Sequence, residues 1–301
     1  MQGEYMFTQT TVNSNSNYIN YLKDVKRQTQ AIIEDNLLSI ILFGSYAKGK
    51  PTKVSDVDVI IVVSDNTQEY EISKLRRVLE SVAIRHGYWD NPRSLLKRIL
   101  RAVKLKTGMF VPFFVCRESD LINGRFERIF GVSKLLSLLL APRNSVLNSI
   151  KVKSKVIYGK NLISKMKTKR PSYIEIIKSY VMNLLQSLGA LIISPFDNEA
   201  TKYSMEAFKW SIYTIREVLK DDDEFKKLLK EVSKSQILNY NFKQWEILRN
   251  AYRQHYPFVF MTPSALTEMY LRTLINMSIT PYVASFLQRF QNIISTNTTT
   301  S

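Results

Sequence analysis

Asp56 and Asp58 flank Val57, and ten residues separate them from a Gly44-Ser45 pair upstream. A glycine without a Cβ lets backbone N–H groups close on an anion, and the Ser45 hydroxyl adds a donor. Asp56 and Asp58 alternate with Val57 and Val59 ahead of Ile60, Ile61, Val62 and Val63. Strand geometry of period two therefore puts both carboxylates on one face, where they can share a divalent metal. An anion cradle beside paired carboxylates is equipment for phosphoryl chemistry. The elements that must hold it are legible too: Leu37 to Phe43 reads LLSIILF, a run of the length and branching of a buried strand.

This turn, spacing and acid-hydrophobic-acid strand resemble the signature of the DNA polymerase β-like nucleotidyltransferase superfamily over roughly residues 37 to 64. The resemblance implies that Gly44 and Ser45 hold the triphosphate tail of a nucleoside triphosphate and that Asp56 and Asp58 are catalytic metal ligands. Transfer of a nucleotidyl group is an in-line displacement at the α-phosphorus, so Mg²⁺ (or Mn²⁺) is the implied cofactor. Lys48, Lys50 and Lys53 in the connecting loop either bind the β- and γ-phosphates or stay solvated. The superfamily pattern usually includes a third carboxylate on a later strand, and here the sequence departs from it. The expected later strand, Met109 to Val115, reads MFVPFFV and has no acid; Asp90, Glu118 and Asp120 lie near it. Either one of them completes the site, or the site has two protein ligands.

The chain has 301 residues, 45% of them hydrophobic, enough for two domains with real cores. The expected class is α+β: a nucleotidyltransferase mixed sheet with flanking helices over 18–164, then an α-helical bundle over 165–293. Residues 1–17 and 294–301 are expected as disordered polar tails. The apolar stretches, Leu184 to Pro195 among them, are interrupted by polar residues, so no membrane span is expected, and the N-terminus lacks a secretory pattern. A cytoplasmic location follows by default. The lone Cys116 excludes an intrachain disulfide and reads as a buried structural thiol.

A net charge of +17 and a pI near 9.7 favour polyanionic partners, with RNA the natural candidate for the acceptor hydroxyl; a protein or an anionic small molecule stays open. Basic residues cluster at Arg93, Lys97, Arg98, Arg101, Lys104 and Lys106, on an expected helix whose stripe is Leu95, Leu96, Ile99, Leu100 and Val103. A second basic stretch, 151–170, has no acid and reads as a linker or a phosphate-contacting surface. Helices are expected at Tyr18–Glu34, Glu69–Arg85 and Arg128–Leu140, and a short strand at Lys155–Tyr158. Further helices are expected at Tyr173–Leu188, Asn198–Leu219, Glu224–Val232, Phe242–His255 and Pro263–Ile293. His86, at a helix end, reads as a cap on carbonyl groups.

Arg249 to His255 places an arginine, an asparagine and a histidine on about two helical turns and resembles the Arg-polar-x-His pattern of HEPN domains. That resemblance implies an RNA-cleaving pair, Arg249 and His255, against a packing or capping role. Three functions therefore compete: a nucleotidyltransferase that releases pyrophosphate, a catalytically degenerate nucleotide-binding or antitoxin-like module, and an HEPN-like ribonuclease.

Overall fold

The computed structural model describes residues 4–92, 94–219, 223, 225, 226, 230 and 234–276, with side chains from Asn17 onward. Two compact units form, residues 1–175 and 176–301. The boundary expected near residue 165 falls before the last turns of the first unit. The expectations for residues 277–301, and most of that for Glu224–Val232, lie outside the described residues.

The first unit opens with α1 (Glu4–Ile33), helical well before the expected start at Tyr18. β1 (Leu37–Phe43) follows, then a one-turn helix α2 (Gly44–Ala47) and β2 (Asp58–Val63). α3 (Glu69–Arg85) and α4 (Leu95–Thr107) form the crossover to β3 (Phe113–Arg117). Four short helices come next: α5 (Glu118–Ile122), α6 (Phe126–Phe130), α7 (Lys134–Leu140) and α8 (Arg143–Lys153). β4 (Lys155–Gly159) closes a mixed sheet of order β3-β2-β1-β4. β1 pairs antiparallel with β2 and β4, and β2 pairs parallel with β3.

The order explains the sequence. β1 and β2 are central, buried on both faces, and so read as nearly continuous apolar runs: Ile40, Ile41, Val59, Ile60 and Ile61 are fully buried. α3 starts with a capping box between Gln68 and Glu71 and lays Ile72, Leu75, Leu79 and Val82 into the core. At the start of α8, the Glu175 carboxylate accepts from the Asn144 and Ser145 backbone N–H groups at 2.9 and 2.8 Å.

Several local expectations are corrected. The single helix expected over Arg128–Leu140 is two, because Gly131, at φ +65, ends α6 in a left-handed cap before α7 begins. The strand expected at Met109–Val115 is shifted to Phe113–Arg117. Of the stripe expected to pack α4, Leu95, Ile99 and Val103 are exposed, and no residue of α4 is buried. His86 does cap α3 by position, but its ring bonds Asp24 at 2.9 Å and Asn17 at 3.3 Å rather than carbonyl groups.

The second unit is helical among the described residues: α9 (Tyr173–Ile193, whose first turn belongs to the first unit), α10 (Ala200–Leu219), α11 (Gln236–Asn250) and α12 (Tyr256–Asn276). Phe208 is its aromatic centre, with Phe242, Trp245 and Phe258 around it. By length and composition α9 could cross a membrane, contrary to the expectation from its interrupted apolar runs. Its buried face is polar, however. Ser179 and Asn183 bond Thr214, Ser211 and Tyr270, which is how a bundle helix uses such residues.

Candidate nucleotide site

The antiparallel register sets Phe43 opposite Asp58, so the chain leaves β1 and turns at Gly44 directly beside the first residue of β2. Gly44 has φ +75, and a Cβ there would sit 2.5 Å from Asp58 Oδ2. No side-chain oxygen caps the N-terminus of the α2 turn. Gly49 N–H and Lys50 N–H donate to the carbonyls of Tyr46 and Ser45, both at 3.1 Å, and so tie the loop back onto the turn. Asp56 lies just before β2 rather than on it, but Val57 and Val59 are both fully buried. Their burial turns Asp56 and Asp58 away from the core, both half-exposed, as the alternation requires. Lys48 and Lys53 are exposed on the loop between turn and acids, and both have contacts of their own.

A tyrosine wall backs this pair, and it was not legible in the sequence. Tyr18 and Tyr21 from α1, Tyr46 from α2 and Tyr88 after α3 meet there. The Tyr18 and Tyr46 rings are 4.6 Å apart, and the Tyr21 and Tyr88 rings 4.8 Å. Burial, and then the charge of Asp58, pushes the Tyr21 hydroxyl far up. Burial likewise raises Tyr88, with Tyr46 and Asp56 adding to it. Burial raises Tyr46, partly offset by a hydrogen bond with Tyr88, and Tyr18 and Asp56 contribute. All three phenols therefore stay protonated at neutral pH. Only Tyr46, adjacent to the Gly-Ser turn, carried a local signal; the others arrive from separate elements.

Among the described residues no third acid joins the pair. β3 runs parallel to β2 with Val59 beside Phe113, and Val59 N–H donates to Pro112 O at 3.1 Å, so Pro112 stands where a partner of Asp58 would be. Further along that face come Phe114 and Cys116. Glu118 and Asp120 lie past the other end of the strand, roughly 15–20 Å from Asp58 at the usual rise per residue. Asp120 pairs with Arg125 at 3.2 Å and Asp90 with Lys104 at 3.6 Å. Among the described residues no three metal-ligating side chains cluster. Cys116 is buried, and burial pushes its thiol far up, consistent with the structural role expected of it.

The residues present nevertheless fit a hydrated divalent cation with a triphosphate. The Gly44 turn is a cradle that a Cβ would fill, and the donor set is the hard oxygen of two carboxylates. Behind the pair the Tyr21 hydroxyl is fully buried without a hydrogen-bond partner, and the Asp58 charge adds to burial in holding it protonated.

The second constellation is not on one helix. α11 ends at Asn250, so Arg249 and His255 do not share a helix as expected. Arg249 stacks on Trp245 at 4.7 Å, and His255 Nδ1 accepts from Phe258 N–H at 3.1 Å, capping α12.

Comparison with known proteins agrees with the first site. Residues 22–101, from α1 into α4, match the family model described as a nucleotidyltransferase domain. A protein of Methanocaldococcus jannaschii described as a "putative protein adenylyltransferase" is 32% identical over 74 residues, which is 25% of this chain and 75% of that protein. Among solved structures, the spectinomycin adenyltransferase AAD(9) from Enterococcus faecialis, with ATP and spectinomycin, is similar at a TM-score of 0.47 and 12% identity, over 85% of this chain and 98% of that one. With the Gly44 turn and the aspartate pair inside the matched region, the chain belongs to the DNA polymerase β-like nucleotidyltransferase family and is an enzyme of that class.

Proposed function

We propose that the protein transfers AMP from ATP to a hydroxyl group of a protein acceptor, using Asp56 and Asp58 to hold Mg²⁺ or Mn²⁺ and the Gly44-Ser45 turn to hold the triphosphate. One observation carries the reading: the turn backs so directly on the Asp58 carboxylate that no Cβ fits between them. ATP and a protein acceptor are favoured by the description of the Methanocaldococcus jannaschii relative. When bound, the cation would neutralise charge developing on the triphosphate and the entering oxygen. Asp56 and Asp58 would supply its protein ligands, and the N–H groups at the Gly44 turn would hold the phosphate tail. The acceptor oxygen bonds the α-phosphorus as the bond to the β-phosphate oxygen breaks, pyrophosphate leaves, and the hydroxyl proton passes to solvent.

A nucleotide-binding module without transfer is the second reading, and the acid-free β3 face favours it. Incubation with α-labelled ATP, Mg²⁺ and, separately, mixed protein, mixed RNA and small-molecule acceptors divides the two. Label on protein that depends on Asp58 supports the proposal. Label on RNA or a small molecule reassigns the acceptor, and ATP binding with no transfer to any acceptor supports the second reading.

A further inference from the structure

α4 leaves an aliphatic row uncovered. Two of its cations turn toward the body of the unit: Arg101 pairs with Glu80, Lys104 lies 3.6 Å from Asp90, and both guanidinium and ammonium sit over the Trp89 ring at 5.8 and 6.0 Å. Leu96 and Leu100 are partly buried on the inner side, while a second aliphatic row faces outward. Leu95, Ile99 and Val103 are 75%, 54% and 49% exposed, in one row at i, i+4 and i+8. α7 does the same with Leu135 and Leu139, 64% and 57% exposed. The segments flanking the two helices touch: Gly108, just past α4, packs so closely on Val132, just before α7, that a Cβ would lie 2.7 Å from its Cγ1. Neither helix contains an acid, while Arg98, Lys106 and Lys134 stand exposed among the aliphatic residues.

We propose that α4 and α7 form a docking surface for an acidic amphipathic helical segment of a partner protein. The row on α4 spans about 12 Å, two turns and more, the length over which a helix presents successive apolar anchors. Glutamate or aspartate on the flanks of such a segment would meet Arg98 and Lys106, which sets its register and speeds encounter. Nucleic acid fits less well, because the surface between the cations is aliphatic and offers no ring for a base to stack on. A lipid surface also fits less well. Interfacial helices place Trp or Phe among their apolar residues, α4 and α7 have none, and Arg101 and Lys104 are turned away from any headgroup. The inner side of the same helix is tied to the tyrosine wall: Arg101 lies over Trp89, the chain neighbour of Tyr88, which bonds Tyr46.

The test uses the full chain, without nucleotide, and a fluorescent synthetic peptide of Leu and Glu in an amphipathic helical repeat, with a Leu and Lys peptide of the same pattern as its counterpart. Fluorescence anisotropy should show saturable binding of the acidic peptide only. The triple change Leu95→Ser, Ile99→Ser and Val103→Ser should weaken it about tenfold or more, as loss of central apolar anchors does. The pair Arg98→Glu and Lys106→Glu should weaken it similarly and keep the aliphatic row. All five residues are exposed, and circular dichroism checks that each variant is folded. Equal binding of the basic peptide, or affinity indifferent to both variants, overturns the proposal. So does tighter binding, with the same residue dependence, to phosphatidylserine vesicles or single-stranded RNA. A wild-type dimer that the serine variant dissociates, seen by light scattering, overturns it in favour of a second copy of this chain. Failure here leaves the transferase reading untouched, since the label-transfer assay does not involve these residues.

Discussion

Replacing Gly44 by alanine tests the cradle with a single methyl group. The backbone there has φ +75, a conformation that costs an L-residue roughly 1–2 kcal/mol. The new Cβ would also stand 2.5 Å from Asp58 Oδ2, so the carboxylate must retreat by roughly 0.9–1.5 Å to reach ordinary contact. The first effect lowers stability, by about 2–4 °C in melting temperature per kcal/mol for a unit of this size. The second misplaces a metal ligand, and a displacement near 1 Å costs on the order of a hundredfold in rate. Gly49→Ala separates the two. Gly49 has φ +65 in the same loop, but a Cβ there meets nothing within 4 Å, so it carries the backbone cost alone. Thermal melts and calorimetric titration with a non-hydrolysable ATP analogue and Mg²⁺, beside label transfer, read both terms. Gly44→Ala should lose transfer and weaken nucleotide binding, while Gly49→Ala loses only stability. Equal transfer by the two variants, at equal melting temperature, would refute the argument from the Asp58 contact.

Three further outcomes follow from the same geometry. Tyr21→Phe removes a buried hydroxyl that has no partner, so the melting temperature should hold or rise in a thermal melt. Burial tends to raise the Glu127 carboxyl, but hydrogen bonds from its own backbone, Ser137 and Arg143 outweigh it and hold it below the ordinary range. The hydrogen bond from His86, against some burial and helped by Arg27, does the same for Asp24. Both folded values lie below the unfolded ones, so their stabilisation is present above pH ~4 and is lost as pH falls further; Glu127→Gln should flatten the acid limb of melting temperature against pH. His255→Ala should remove the α12 cap, costing about 1 kcal/mol in a denaturant titration, and leave nucleotide transfer unchanged.

The site was legible where its parts are local. Gly44, Ser45, Asp56 and Asp58 lie within one strand-turn-strand passage, and the apolar runs on either side announce the strands that hold them. The tyrosine wall was not, because Tyr21, Tyr46 and Tyr88 come from three elements and only the fold brings them together. Periodicity identified α4 as amphipathic but could not say which way it faces. Arg101 and Lys104 pair with Glu80 and Asp90 beside Trp89, and the row of Leu95, Ile99 and Val103 stays exposed. The Arg249 and His255 pattern misled for a related reason. A helix of sequence spacing was assumed, and the helix stops at Asn250. Gly131 likewise split an apolar run that composition alone reads as one helix.

The central claim is that Asp56 and Asp58, set against the Gly44 turn, hold a divalent cation with the triphosphate. Electron paramagnetic resonance of Mn²⁺, titrated into the full chain with a non-hydrolysable ATP analogue, reads that site without requiring an acceptor. The account expects nucleotide-dependent Mn²⁺ binding that falls tenfold or more in Asp56→Asn and in Asp58→Asn, each variant folded by circular dichroism, since each change removes an anionic ligand from a hard cation. Mn²⁺ affinity that is the same in both variants as in the parent protein would contradict it.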